Sequence, residues 1–321
     1  MTTETLQITD RVRQALTAVE VTSTGETTTF RVGERHFRSE NLAVFRGKLS
    51  ATLYDTFHSG RDSRQQRPRA LRDHAFEEQL AAATPHRYTT NTGRYAGRLE
   101  GSGDILVDLR SLRIKLAPDN VQAPKHPRAG DPVRLRLPAL RPALSPGFYL
   151  ADGPDGPPPA GPLLRLYVHL TDPDAAAAAW KACLLLLAGR GVRYRAKIVS
   201  APWMYPRRDA LVVYLGHDAW RAVPELGAAL AHLPGKGTAT SVLTSPLAPG
   251  VSYAWEPDDS RAGKIGMSFG QHRCAALTDG LLAEAADPKT GGETALVQAL
   301  HDANIDPHAP ERNLTSPRLQ W

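Results

Sequence analysis

Leu163-Leu-Arg-Leu-Tyr-Val-His-Leu170 and Arg193-Tyr-Arg-Ala-Lys-Ile-Val199 interleave apolar and polar residues over strand-length runs. Side chains in a strand alternate between its two faces. In the first run Arg165, Tyr167 and His169 therefore share one face, opposite Leu164, Leu166, Val168 and Leu170. In the second, Arg193, Arg195 and Lys197 stand opposite Tyr194, Ala196 and Ile198. Each strand can bury its apolar face and present a row of cations on the other. Arg, Lys and His brought together on neighbouring strands suit a phosphate group and the chemistry beside it.

Working outward, Asp172 and Pro173 signal the start of a helix that runs through Trp180 to Ala188, where Gly189 and Gly191 end it. Strand, helix and strand of this length fit either a parallel crossover or a helix laid on an antiparallel sheet. A third strand is expected over Asp209–Leu215, with Leu211, Val213 and Leu215 as its core face. Parity then puts Arg208 and Tyr214 on the cationic face and turns Arg207 away. Ala219–Leu233 reads as a helix, and Gly235–Gly266, rich in Gly, Pro and Ser, as a long loop. Ser268-Phe-Gly-Gln271 has the form of a capping box opening a helix to about Ala286, and a last helix is expected over Thr294–Ala303.

Upstream, residues 11–58 read as a helix, a hairpin around Thr24–Gly25 and a second helix from about Glu40 to Phe57. Arg61–Arg72 carries five arginines without apolar periodicity, which reads as a solvated, mobile loop or as a contact for leader peptide or partner. Gly103–Leu109, Leu112–Leu116 and Pro132–Leu137 suggest a small antiparallel sheet or partial barrel. The proline-rich stretch Pro138–Pro162 marks a crossing between subdomains. The expected fold class is α+β. Residues 146–321 would form a mixed or antiparallel sheet flanked by helices, and residues 1–145 a smaller α+β or barrel-like subdomain that binds substrate or partner.

The 321 residues are 41% hydrophobic and 22% charged, ordinary for a globular chain with a sizeable core. A net charge of +6 and a pI of about 9.4 point to anionic substrates; neither a nucleic-acid nor a membrane partner is expected. The first residues lack the basic and apolar segments of a secretory signal. The longest apolar run, Ala175–Ala188, is interrupted by Lys181 and too short to span a bilayer, so the expected location is the cytoplasm. Cys183 and Cys274 are the only cysteines, and Cys183 sits in an apolar helical run where a buried thiol is expected. The histidines show no His-x-x-x-His spacing and the cysteines no Cys-x-x-Cys, so no metal site is expected. Phosphate-binding glycine loops and the serine-hydrolase elbow are missing too.

Gln271, His272 and Arg273 fall in the first turn of a helix, where free N–H groups and a guanidinium fork suit an anion. Lys197 is flanked by cations, which favour a neutral amine. A neutral lysine beside a bound phosphate is a base in search of an acidic C–H.

Several segments, taken in order, resemble the Hop-A-type III effector-like family. They are Leu53-Tyr-Asp-Thr-Phe57, Ser145-Pro-Gly-Phe-Tyr149, Arg165-Leu-Tyr-Val-His169, Lys197-Ile-Val199, Tyr205-Pro-Arg-Arg-Asp-Ala-Leu-Val-Val-Tyr214, Leu247-Ala-Pro-Gly250 and Ser268-Phe-Gly-Gln-His-Arg273. The match covers most of residues 45–285. Members of that family encoded beside aminoglycoside-phosphotransferase-like kinases are associated with class V lanthipeptides and thioamitides. The resemblance implies a lyase that eliminates phosphate from a kinase-phosphorylated precursor peptide, giving dehydroalanine or dehydrobutyrine without cofactor. More distantly the chain is similar to phosphothreonine lyases and to the lyase domains of class III and IV lanthionine synthetases. Those use a strand histidine as acid, a lysine about thirty residues later as base, and arginines for phosphate. Carried over, His169 or Tyr167 would be the acid and Lys197 the base. Arg208, Arg273 and one or both of Arg165 and Arg195 would hold the phosphate, and Tyr205 or Tyr214 would steady the enolate. The Lys-Phe-His triplet of those enzymes is replaced here by Arg165-x-Tyr-x-His169. A different class of function is a non-catalytic subunit that binds leader peptide and activates a kinase; a third is an effector acting on host phosphoproteins.

Overall fold

The computed structural model describes residues 7–61, 70–287 and 291–321, so most of the arginine-rich stretch lies outside the described residues. Helix α1 (Asp10–Leu16), capped by the Thr9 side chain, leads into an antiparallel sheet of β1 (Val19–Thr24), β2 (Thr27–Val32) and β3 (Arg35–Ser39). Helix α2 (Leu42–Leu53) widens at its end into a π turn, Tyr54–Ser59, closed by Gly60 at φ 69°. After α3 (His74–Ala83) comes a five-stranded sheet in the order β6-β5-β4-β8-β7. Its strands are β4 (Tyr88–Arg98), β5 (Ile105–Leu109), β6 (Leu112–Leu116), β7 (Val121–Gln122) and β8 (Pro132–Pro138). The sheet is open rather than a closed barrel, and Val107, Val133 and Leu135 form its own small core.

The remaining strands are β9 (Leu140–Ser145), β10 (Phe148–Asp152), β11 (Leu164–Leu170), β12 (Tyr194–Val199), β13 (Arg207–Leu215), β14 (Ser245–Ala248) and β15 (Val251–Trp255). They make one sheet in the order β14-β15-β11-β13-β12-β10-β9. Every neighbouring pair is antiparallel. Helix α4 (Ala176–Gly189) carries the chain from β11 to β12, which run the same way with β13 between them. Helices α5 (Val223–Leu230), α6 (Phe269–Ala286) and α7 (Gly292–Asp302) complete the fold.

Alternation decides what each face covers. Leu164, Leu166, Val168 and Leu170, with Tyr194, Ala196, Ile198, Leu211 and Val213, pack under α3, α4 and α5. On the other face Tyr167, Val212 and Ala254 meet α2 and α6, in a core shared by the first residues (Ile8, Val12) and the last helices (Leu296, Leu300). The capping box of α6 forms as its sequence predicts: Ser268 Oγ accepts from Gln271 N, and the Gln271 side chain accepts from Ser268 N.

Three expectations are corrected. The proline-rich stretch 138–162 supplies β9 and β10, a hairpin within the large sheet that crosses position 145/146. The stretch read as a loop from Gly235 holds β14 and β15; its prolines sit at an edge strand, where a missing N–H is tolerated. On β13 the register against β11 slips between Val168 and Leu170, from a Val168–Leu211 pair to a Leu170–Arg207 pair. Two extra β13 residues form a bulge, Ala210 and Leu211 both join the helix-side core, and simple parity fails.

Candidate functional site

Between the large sheet and the five-stranded sheet lies a cavity of about 1260 Å³. Its large-sheet wall includes Arg165, Arg195, Lys197 and Tyr214, and its far wall comes from β4 and β8. Strand pairing explains the grouping: Tyr214 of β13 is the Cα partner of both Arg165 on β11 and Arg195 on β12.

Lys197 stands at the centre. Only 8% of its surface is exposed. Its Nζ lies 4.2 Å from the centre of the Phe148 ring and 5.7 Å from that of Tyr214. Among the described residues its ammonium makes no hydrogen bond or ion pair. A nearly buried amine set against ring faces rather than hydrogen-bond acceptors is costly to hold, and it is positioned to act on a group entering the cavity.

The two arginines beside it are already tied to acids. Arg165 is buried, binds Glu256 through Nε and Nη2, and lies with Cζ 4.9 Å from the Tyr214 ring centre. Arg195 holds the buried Asp152 through Nε at 2.7 Å and Nη2 at 3.2 Å. Each leaves its Nη1 edge without a hydrogen bond, so a phosphate oxygen could join without breaking the pair. Tyr167 lies in the same row; burial pushes the pKa of its hydroxyl up, against the pull of the neighbouring Arg165 guanidinium.

Behind Lys197, Arg207 reaches Asp209 through Nε at 2.8 Å and Nη2 at 2.9 Å, and Tyr54 Oη at 2.9 Å. The Tyr54 hydroxyl donates to Asp209 at 2.9 Å. His58 Nδ1 lies 3.1 Å from Ser241 Oγ, and its Nε2 3.7 Å from Asp209. Burial lowers the His58 pKa to about 4, with the charges of Arg207, Arg165 and Lys197 adding to the effect, so the ring is neutral. Burial alone would raise the Asp209 carboxyl; the Arg207 guanidinium outweighs it and holds the group ionised. Arg207 Cζ also sits 5.6 Å from the Phe148 ring centre, linking this network to the ring on which Lys197 rests. Sequence reasoning assigned Tyr54, His58, Asp209 and Ser241 no role. Tyr54 and Asp209 fall within the segments that carry the family resemblance; His58 and Ser241 gave no signal.

Of the residues singled out from sequence, the structure brings Arg165, Arg195, Lys197 and Tyr214 to one cavity and leaves four elsewhere. His169 is about 12 Å from Lys197 between Cα atoms, two strand spacings and two residues of rise away. Its ring lies against Gly237, and burial followed by the charge of Arg208 lowers its pKa. Arg208 is turned by the bulge toward the π turn, where Nη1 donates to the Thr56 carbonyl at 3.1 Å. The expected orientations of Arg207 and Arg208 are thus exchanged, with Arg207 in the network behind Lys197. Arg273 is wholly buried and donates to the Pro310 carbonyl at 2.9 Å, the Asn313 amide oxygen at 2.8 Å and His272 Nδ1 at 2.8 Å. No edge of it is open to a phosphate. Tyr205 faces the helix-side core, packs on Phe76 and donates to the Val199 carbonyl at 3.3 Å. Among the described residues no group of three His, Cys, Asp or Glu side chains is placed to hold a metal ion, and no helix is long and apolar enough to cross a membrane.

A family model for the HopA1 effector protein family matches residues 139–312, more than half of the chain and every strand of the large sheet. No curated protein matches the sequence. Among solved structures, the effector protein from Pseudomonas syringae pv. tomato strain DC3000 is similar at 16% identity with a TM-score of 0.48. That alignment covers 84% of this chain and 90% of that one. The effector protein from Pseudomonas syringae pv. syringae strain 61 is similar at 15% identity and a TM-score of 0.44, over 84% of this chain and 96% of that one.

Proposed function

The chain belongs to the HopA1 effector protein family, and from that premise we propose that it is a phosphoserine/phosphothreonine lyase acting on a phosphorylated precursor peptide. The observation that carries this reading is Lys197: nearly buried, without a hydrogen bond or ion pair among the described residues, in a cavity whose large-sheet wall also holds Arg165, Arg195 and Tyr214. In the proposed reaction the phosphorylated side chain enters between the sheets and its phosphate meets the free Nη1 edges of Arg165 and Arg195. Lys197 Nζ takes the Cα proton. The electron pair becomes the Cα–Cβ double bond, the Cβ–O bond breaks, and phosphate leaves with the bonding pair. Tyr214 on the cavity wall can hydrogen-bond the departing oxygen while keeping its own proton. Serine yields dehydroalanine and threonine dehydrobutyrine; the proton on Lys197 passes to solvent. A kinase of the aminoglycoside-phosphotransferase type would supply the phosphopeptide.

The test uses purified protein and a synthetic phosphopeptide, without kinase, ATP or added metal, and with EDTA present. A lyase converts the peptide to a product lighter by one phosphoric acid and releases inorganic phosphate. An intact phosphopeptide, together with faster phosphorylation when the kinase is added, would instead establish an accessory subunit that binds leader peptide.

A further inference from the structure

The cavity exceeds what one phosphorylated side chain needs: about 1260 Å³, against roughly 300–1,000 Å³ for a small-molecule pocket. Its far wall is chemically distinct. Strand pairing sets Thr92 on β4 and Gln122 on β7 as the Cα partners of Arg134 on β8, so three hydrogen-bonding side chains cross the sheet abreast. All three line the cavity. On β8, Val133 and Leu135 fill the small sheet's own core, which turns Arg134 to the opposite face. Arg110 lines the same cavity from the β5–β6 turn, where its φ of 57° places it in the left-handed region.

The charges of this wall are unbalanced. On the large sheet Arg165 is matched by Glu256, and Arg195 shares Asp152 with Arg141. Arg110 and Arg134 make no ion pair or hydrogen bond among the described residues. Two unmatched guanidiniums beside a threonine and a glutamine form a row of donors on the far wall of the cavity. Donors of this kind, set in a row on strands, recognise carboxylates on an extended chain.

We propose that this wall is a specificity subsite for acidic side chains, so that the peptide acted on carries Asp or Glu within a few residues of the phosphorylated position. The inference rests on the lyase reading for its context, and its test is independent of the chemistry. Binding of fluorescent unphosphorylated peptides is measured by anisotropy, with aspartates, neutral residues or lysines flanking one serine. The wild-type protein should bind the acidic peptide about tenfold more tightly than the neutral one, a difference of about 1.4 kcal/mol, and the advantage should shrink as salt is raised. The Arg110→Glu/Arg134→Glu double variant should lose that advantage and favour the lysine-flanked peptide. Equal affinity of the wild-type protein for acidic and neutral peptides overturns the subsite, as does an acidic preference that survives charge reversal. Elimination from a neutral phosphopeptide reports on the lyase reading separately, so the two can fail independently.

Discussion

Arg273 carries three buried acceptors: the Pro310 carbonyl, the Asn313 amide oxygen and the Nδ1 of His272. Its burial drives its own pKa down to about 9, a cost that only such complete pairing offsets. Truncation would orphan all three acceptors and leave a hole beneath Phe269, whose ring centre is 4.7 Å from Arg273 Cζ. Arg273→Ala is therefore expected to lower stability by on the order of 3 kcal/mol, read as a shifted urea midpoint. Weaker phosphopeptide binding at unchanged stability would return this residue to the site. The position was legible in the sequence as part of Ser268-Phe-Gly-Gln-His-Arg273, but its role was not. A helix first turn offers an arginine either solvent anions or a neighbouring loop, and here the loop around Pro310 decides. Lys197 was legible because its strand alternates cleanly. The partners that occupy Arg165 and Arg195 were not, since Glu256 and Asp152 lie 91 and 43 residues away in sequence.

At the scale of elements, α6 shows how one motif joins helix to site. Ser268 caps it, Phe269 packs 5.6 Å from the His58 ring and 5.9 Å from that of Tyr167, and Gly270 lets the helix approach the π turn. A Cβ at Gly270 would sit 2.6 Å from His58 Cγ and 2.7 Å from Tyr54 Cε2. Helix propensity alone would make Gly270→Ala stabilising by up to about 1 kcal/mol. The clash decides otherwise, since overpacking a close-packed interior costs about 1–3 kcal/mol. We expect a lower thermal midpoint and slower elimination, because His58 and Tyr54 belong to the network behind Lys197; a higher midpoint would show that the π turn yields. The capping box and the alternation of β11 and β12 were readable because local chemistry fixes them. The bulge in β13 was not, because parity assumes an unbroken register. It is what brings Arg207 to the network and sends Arg208 away. The edge pair β14–β15 was hidden by Pro246, Pro249 and Gly250, residues that mark turns but are also tolerated at sheet margins.

At the scale of the molecule, the cavity is made by two sheets from different parts of the chain, which no local pattern announces. The same long-range packing buries His58 and His272 in neutral form, each with a pKa lowered to about 4 by burial. Below about pH 6.5 these histidines take up protons in the unfolded chain before they do in the folded one, so stability falls with pH. The loss should begin near pH 6.5 and level off near pH 4, on the order of 3 kcal/mol for each ring. Glu311, whose carboxyl burial pushes up, offsets part of it at the acid end. Urea denaturation from pH 8 to pH 4 checks this, and a flat profile would mean the rings have solvent in the folded state.

The central claim is that Lys197 removes the Cα proton of a phosphorylated residue held between the sheets. Its most direct test is Lys197→Ala, assayed for conversion and for affinity with the same synthetic phosphopeptide. Lys197 makes no hydrogen bond or ion pair among the described residues, so its loss should leave the fold in place. The account predicts a folded protein that still binds the phosphopeptide, held by Arg165 and Arg195, yet releases no inorganic phosphate and forms no dehydrated product. Dehydration at the wild-type rate by Lys197→Ala would contradict it.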